Sequence, residues 1–288
     1  MELFQYPYMQ RALIGALVIG LAAPALGIYL VQRRLALIGD GVGHVALTGV
    51  GAGLLLNRSP VLVAVIAATI GAITIEVVRS RGRTSGDLAL ALLFYGGIAG
   101  GVMLVGLSDS TSANLNAYLF GSLTTISPAD LTTIAVLGVA ILVTMLALRP
   151  ALFAVSHDEE YARVSGLPVR TLNLLIAVTT AVTVTIAMRA VGVLLISALM
   201  VVPVATAQQV TKGFRSTMTA AMALGLFAAG AGVWVAATAD TAPGASVVLL
   251  AIASFGVVAV AGAAWRALRR RSTPAPEPAP EPHEVVLD

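Results

Sequence analysis

The distribution of apolar residues constrains this chain more than any other feature of its sequence. Nine stretches of about 20 mostly apolar residues are separated by short polar segments. A helix of about 20 apolar residues crosses the hydrocarbon core of a bilayer. The sequence therefore predicts an all-α, polytopic bundle of about nine transmembrane helices. The predicted spans are 12–31, 35–56, 60–78, 88–107, 128–148, 171–188, 191–210, 216–238 and 246–265.

Composition agrees with a chain that lies almost wholly in the bilayer. Hydrophobic residues make up 58% of the sequence and charged residues only 11%, against about half and about a quarter in soluble domains. The first apolar stretch, 12–31, is longer than the core of a secretory signal, so we expect it to remain as a spanning helix. We predict one transmembrane domain over residues 1–271. The absence of cysteine excludes disulfides, thiolate metal sites and cysteine nucleophiles.

Two further segments do not fit the spanning pattern. Segment 113–127 is apolar but short, and Gly121 interrupts it. We predict that it is re-entrant, which is tolerated only where protein or water covers its backbone. Residues 272–288 are rich in proline and glutamate and are predicted to form a disordered cytoplasmic tail.

Positive charges predict the orientation in the membrane. If the nine spans alternate in direction, 14 of the 17 lysine and arginine residues fall on one side. Short loops rich in these residues stay in the cytoplasm. The N-terminus is therefore predicted to lie outside and the C-terminus inside, in a multi-pass protein of the plasma membrane. Because the basic residues follow the topology, the net charge of +3 does not indicate a nucleic-acid partner.

Asp40 and His44 are the only acid and the only histidine well inside a predicted span. Four residues apart, they share one face of a helix. A carboxylate in hydrocarbon is unfavourable unless it is paired, hydrated or bound to a cation. Glycines between Gly39 and Gly53 let other helices approach closely, which suits a buried site. We predict that the pair binds a cation between helices; a pair that only ties helices together is the alternative.

The largest predicted cytoplasmic loop, 149–170, contains the pattern of a short amphipathic helix. Asp158 and Glu159 favour a helix start, and Gly166 favours its end. Because the other connections are minimal, this helix indicates a docking surface, although a solvated linker helix would have the same pattern. His157 stands at the start of this surface helix and is not expected to bind metal.

No phosphate-binding loop is present in the sequence. The only lysine is Lys212, and the residues around it do not form G-x-x-x-x-G-K-[ST], the pattern that cradles nucleotide phosphates. If transport is driven by ATP, the ATPase is a separate chain. We therefore predict that this chain is a transport subunit without an ATPase site of its own, and not an enzyme.

Five stretches resemble the membrane permease subunit of zinc/manganese/iron-type ABC importers, a family related to the permeases of siderophore and vitamin B12 importers. The matching stretches are 33–44, 87–91, 118–123, 158–168 and 191–207. Each is weak alone, but five in the family's order, over most of residues 10–265, are specific. The sequence departs from the family at Gly43, where members often carry serine, while Asp40 and His44 are both present.

The resemblance implies a function, site residues and partners. In that family the helix with the Asp and His pair lines the translocation path, so Asp40 and His44 are expected to bind the passing metal, with no permanently bound cofactor. The metal is zinc, manganese or iron. The helix that docks into the ATPase is matched by Asp158, Glu159, Ala162, Arg163 and Gly166. The family works as two permeases, two ATPases and an extracytoplasmic metal-binding protein, surrounded by membrane lipid.

Two other functions compete with this interpretation. A stand-alone secondary transporter would use Asp40 and His44 as a proton or cation relay; a second half with its own intramembrane charges would favour it, and the sequence has none. An intramembrane metalloenzyme would need a catalytic base and usually a third ligand, as in H-E-x-x-H, and no such motif is present. The permease of an ATP-driven metal importer is therefore the expected function, with a secondary transporter as the alternative.

Overall fold

The computed structural model describes residues 6–80, 86–108, 118–122, 126–188 and 190–272, and all regular secondary structure in these residues is helical. The described residues form eleven helices of six residues or more. They are α1 (Pro7–Gln32), α2 (Ile38–Leu55), α3 (Pro60–Ser80), α4 (Gly86–Leu107), α5 (Pro128–Ala147), α6 (Arg149–His157), α7 (Glu159–Val164), α8 (Val169–Ala187), α9 (Val193–Gln208), α10 (Phe214–Ala239) and α11 (Pro243–Ser272).

The predicted all-α membrane bundle is confirmed, with one span shorter than expected. Within the described part of the chain, eight helices are long and apolar enough to cross a membrane, and each coincides with a predicted span. The ninth, predicted over 191–210, is α9, which has only 16 residues. It begins late because Gly192, at φ +95°, has a left-handed backbone that cannot continue a helix. This backbone packs against residues 119–121.

Proline and capping residues define where several helices begin. Proline is the first residue of α1, α3, α5 and α11, a position where its missing N–H leaves no hydrogen bond unmade. Ser127 precedes α5 and forms a capping box with Asp130. The Asp130 side chain accepts from the Ser127 N–H at 2.9 Å, and the Asp130 N–H donates to Ser127 Oγ at 3.2 Å.

Helix α2 lies at the centre of one half of the bundle, packed against α3, α4, α8 and α9. Helix α1 organises the other half and packs against α5, α9 and α10. Small residues permit the close approach. A Cβ atom on Gly97 of α4 would lie 2.7 Å from the carbonyl carbon of His44, and one on Gly49 of α2 would lie 2.5 Å from Ala64 Cα. Larger residues at either position would push the helices apart.

Large apolar side chains face outward on α3, α4, α5 and α11. Leu92 and Tyr95 of α4, Val136 of α5 and Leu249 of α11 are each more than half exposed. In water such a surface would be unfavourable, but in a bilayer the hydrocarbon chains cover it. The outer face therefore agrees with a chain that spans the membrane several times.

Most of the predicted re-entrant segment, and all but the first residue of the predicted tail, lie outside the described residues. Within 113–127, the structure describes only 118–122 and 126–127. Residues 118–120 form one helical turn, and Gly121 adopts φ +77° against Ala190 and Val191. Ser272 is the last residue of α11. The re-entrant segment and the tail both remain predictions.

Candidate functional site

Asp40 lies in the first turn of α2, closer to the helix end than the predicted span 35–56 implied. The difference arises in the turn after α1, where Arg34 adopts φ +58° and Leu35 N–H donates to Leu30 O at 2.8 Å. These contacts close the end of α1 and delay the start of α2 until Ile38. A carboxylate in the first turn is favoured there by the helix dipole.

The Asp40 carboxylate is half-buried and contacts a neutral partner on another helix. Ser197 of α9 is buried, and its hydroxyl donates a hydrogen bond to Asp40 Oδ1. Among the described residues, no arginine or lysine forms an ion pair with Asp40. The carboxylate is therefore held by a dipole, and its negative charge is not neutralised by a cationic side chain.

His44 lies one turn further along α2 and is buried, with 8% of its surface exposed. Its ring meets Phe94 of α4 edge to face, with 4.5 Å between the ring centroids. Its Nδ1 atom has no hydrogen-bond partner within the described part of the chain. Thr48, a further turn along, donates to Gly97 O at 2.7 Å and ties α2 to α4. The imidazole is thus held by packing, while its Nδ1 atom is buried without a hydrogen-bond partner among the described residues.

The structure places the two side chains on one helix but gives them different neighbours. Asp40 contacts α9, and His44 contacts α4. Helix α2 thus lies between the two helices that hold its polar side chains. No group of three or more histidine, aspartate or glutamate residues that could hold a metal occurs among the described residues. One chain therefore offers one carboxylate and one imidazole at this place.

The predicted cytoplasmic helix is present as α7, six residues long, and it follows a second short helix, α6, that the sequence analysis did not predict. Asp158 caps α7, its side chain accepting from the Tyr161 N–H at 2.9 Å. At the other end, Gly166 adopts φ +79°, and Leu167 N–H donates to Ala162 O at 3.1 Å. This is a Schellman cap, which needs a left-handed residue at the glycine position.

Glu159 joins α7 to the ends of two spanning helices. Its carboxylate lies 3.8 Å from Arg33 after α1, 3.7 Å from Arg79 of α3 and 3.4 Å from Arg163 of α7. Arg79 also donates to both oxygens of the buried Glu76, at 2.8 and 3.0 Å. Burial, followed by the charge of Arg79, lowers the pKa of Arg33, while Glu76 and Glu159 act in the opposite direction. We call these five residues the α7 ion network.

The remaining predicted docking residues differ in exposure. Ala162 is fully buried, on the inner face of α7, while the Arg163 side chain is 68% exposed. A cavity of about 690 Å³ opens beside α7, between the end of α3 and the start of α8, with Glu76, Glu159 and Arg163 in its wall. Asp40 and His44 do not line this cavity, which lies next to the predicted docking helix.

Sequence reasoning missed several residues that surround these sites. Ser197 lies inside the stretch 191–207, but a serine in an apolar helix gives no signal of its own. Glu76 and Arg79 have the three-residue spacing of a helical ion pair, and that signal was available. Arg33 is one of the basic residues that predict the orientation and begins the matching stretch 33–44, but neither observation indicates its contact with Glu159. Nothing in the sequence indicates that Phe94 packs on His44.

Comparison with known proteins identifies the family. A profile of the ABC 3 transport family matches residues 5–262. The chain belongs to the ABC 3 transport family. The resemblance found in the sequence analysis is therefore confirmed, as is the helical permease architecture.

Relatives and a solved structure agree with this assignment. The chain is 30% identical to the manganese transport system membrane protein MntC of Halalkalibacterium halodurans, over 89% of this chain and 88% of that protein. It is 31% identical to the high-affinity zinc uptake system membrane protein ZnuB of Haemophilus influenzae, over 83% and 91%. A structure of PsaBC from Streptococcus pneumoniae in complex with Fab superposes with a TM-score of 0.80 at 28% identity, covering 88% of this chain and 92% of that chain.

Proposed function

We propose that this chain is the permease subunit of an ATP-driven importer of a divalent transition metal: zinc or manganese, and iron as a third cargo. Metal arrives from an extracytoplasmic binding protein, passes Asp40 and His44, and leaves toward the cytoplasm. Relatives whose names state manganese transport and zinc uptake support this class of cargo. A carboxylate oxygen and a neutral imidazole nitrogen are suitable ligands for these ions.

The proposal rests on two polar side chains of α2, Asp40 and His44, that can still bind a cation. Among the described residues, Asp40 accepts a hydrogen bond from a neutral hydroxyl and forms no ion pair with an arginine or lysine, and His44 Nδ1 is buried without a partner. Buried polar atoms nearly always have partners. A passing cation would supply a positive charge for the Asp40 carboxylate and a partner for His44 Nδ1. Two ligands make a weak site, which suits transport because a conduction site must also release its ion.

The ATPase is a separate subunit that docks at α7. Support comes from the capped helix itself and from its ion pairs, since Glu159 ties it to the ends of α1 and α3. A push on α7 would therefore reach α1, whose end is joined to α2 and Asp40 by a turn of five residues, 33–37. A second permease copy completes the membrane unit and can bring up to four ligands to the path.

The orientation follows from the charge asymmetry, with the N-terminus outside and the C-terminus in the cytoplasm. A reporter that is active only in the cytoplasm, fused after Arg271, should be active. An exported reporter fused at the same place should be silent. The opposite pattern would show that the topology is inverted, with α7 on the wrong side of the membrane for an ATPase.

Metal uptake by the reconstituted complex tests the path directly. Asp40→Asn keeps the shape of the side chain and removes its charge, and His44→Ala removes the imidazole. Each should abolish or strongly reduce uptake per folded molecule, for manganese and zinc measured separately. The double variant Asp40→Leu/His44→Leu is the decisive case, because an ion pair or polar pair that only packs helices can be replaced by apolar residues at little cost.

Transport that survives in that double variant would leave the pair with a packing role alone. Omitting the ATPase subunit, or ATP, should stop uptake by the unmodified complex as well. Uptake that continues without ATP, driven by a proton gradient, would instead support a secondary transporter.

A further inference from the structure

We propose that Ser197 is a positioning residue of the metal path. Its hydroxyl holds one oxygen of the Asp40 carboxylate toward α9 and leaves the other oxygen to the ion. The inference rests on the proposed role of Asp40 and adds to it a residue from a second helix, 157 positions away in sequence.

The direction of the Ser197 hydrogen bond distinguishes this residue from the other buried hydroxyl of α9. Thr206 is buried on the same helix, but its hydroxyl donates to Val202 O at 2.8 Å, within its own helix. The Ser197 hydroxyl instead crosses to α2 and donates to Asp40 Oδ1. A hydroxyl has one proton to donate, so this proton is committed to the carboxylate.

The packing of α2 on α9 makes this contact possible. A Cβ atom on Gly39 would lie 2.6 Å from Met200 Cε and 3.2 Å from Ser197 Cβ, and one on Gly43 would lie 3.3 Å from Val193 Cγ2. Glycine on both sides of Asp40 lets α9 come close enough for a side chain as short as serine to reach the carboxylate. The two helices therefore meet at the acid that the proposed path uses.

The chemistry of a carboxylate gives this contact a consequence for metal binding. An ionised carboxylate has two oxygens, and both accept hydrogen bonds but cannot donate them. With Oδ1 occupied by the hydroxyl, the orientation of the group is fixed and Oδ2 is left for a cation. Residues that orient a metal ligand in this way alter metal affinity or activity by about 10- to 100-fold when they are removed.

Three variants in the complete transporter test the role of Ser197. Ser197→Ala, reconstituted with the ATPase and the binding protein, should lower manganese uptake per folded molecule by about 10-fold. Ser197→Thr keeps the hydroxyl and should restore most of the uptake. Thr206→Val is the matched control, since it removes a buried hydroxyl from the same helix without touching Asp40, and it should transport normally.

Infrared difference spectroscopy separates positioning from packing. Addition of Mn²⁺ to the unmodified complex should perturb a carboxylate band that is lost in Asp40→Asn. Ser197→Ala should shift this band, and Thr206→Val should leave it unchanged. An unshifted band in Ser197→Ala, normal uptake in that variant, or an equal loss in Thr206→Val would each overturn the role of Ser197. If Asp40→Asn itself transports normally, the proposed function fails, and the inference fails with it.

Discussion

Two of the places where the described residues hold carboxylates partly away from water treat them differently. On α2, Asp40 has a serine hydroxyl as its partner and no cationic side chain among the described residues. In the α7 ion network, Glu76 and Glu159 are shared among three arginines. A neutralised carboxylate has little to offer a metal ion, whereas one held only by a dipole keeps its charge for the cargo. The difference supports the proposed binding of metal at the first place and the proposed attachment of a docking helix at the second.

The two places should differ most in metal uptake when the Asp40 and His44 pair, or the Glu76 and Arg79 pair, is replaced by leucines. In Asp40→Leu/His44→Leu we expect uptake to fall by about 100-fold or more, which corresponds to about 3 kcal/mol of lost interaction with the passing ion. In Glu76→Leu/Arg79→Leu the two charges disappear together, and a buried ion pair is often replaceable at little cost. That variant should keep uptake within about threefold of the unmodified complex. Comparable losses in both variants would erase the distinction between the two places.

Single substitutions should affect stability differently in the two places. Arg79→Leu alone leaves Glu76, whose side chain is 6% exposed, without its bidentate partner. Breaking a buried pair in this way destabilises by about 3–5 kcal/mol, and the partial exposure of Arg79 places the expected loss at the lower end. Asp40→Asn should leave stability nearly unchanged, because no cationic side chain is left unpaired. Thermal unfolding of the purified variants in detergent measures both effects.

A control accompanies this measurement. Adding Glu76→Gln to Arg79→Leu removes the stranded charge and should restore most of the lost stability. If Arg79→Leu unfolds at the same temperature as the unmodified chain, the network contributes nothing to stability, and its contrast with Asp40 loses its physical basis.

The comparison also shows where sequence reasoning succeeds and where it stops. Helix positions were predictable because each span is a long apolar run, and Asp40 and His44 were found because polar groups stand out in such runs. The α7 helix was found from Asp158 and Gly166, which carry local capping signals. The contact of Ser197 with Asp40 was not predictable, because it depends on how closely α9 approaches α2.

The late starts of α2 and α9 have a common origin. Arg34 and Gly192 adopt positive φ values, and in each case the backbone turns before the next helix begins. Hydropathy places a break at Arg33 and Arg34, but it does not detect how far the turns extend, since residues 35–37 before α2 and Val191 before α9 are as apolar as the helices themselves. An arginine in this conformation is a particularly weak signal, because glycine is the residue expected there.

A third, smaller effect concerns the cap that ends α7. Gly166 has φ +79°, and a Cβ atom there would meet no neighbour within 4 Å. Gly166→Val should therefore act through backbone strain alone, about 1–2 kcal/mol for a residue with a Cβ atom. Because the strain lies in the docking helix, ATP hydrolysis should become uncoupled from uptake while the protein still inserts into the membrane.

Gly106→Ala provides the matched control for this cap. Gly106 is also without neighbours around a Cβ atom, but it lies inside α4 and has no left-handed backbone. The substitution should leave coupling unchanged and should slightly favour the helix. Normal coupling in Gly166→Val would argue that the ATPase does not depend on the shape of α7.

The smallest expected effect is at the exposed edge of the ion network. Arg163 pairs with Glu159 one turn away, but its side chain is 68% exposed, and exposed pairs of this spacing contribute about 0.3–0.5 kcal/mol. Arg163→Gln should therefore change the unfolding temperature very little. Raising the salt concentration should shift the unfolding temperature less in this variant than in the unmodified chain, because salt screens exposed pairs most. Arg33→Gln removes the buried partner of Glu159, a guanidinium whose side chain is only 6% exposed. This variant should lose more stability, and its loss should depend less on salt.

If Arg163→Gln nevertheless uncouples ATP hydrolysis from uptake, the exposed guanidinium acts on the docked ATPase and not on the fold. If it destabilises the protein as much as Arg33→Gln does, burial is not what separates the members of this network.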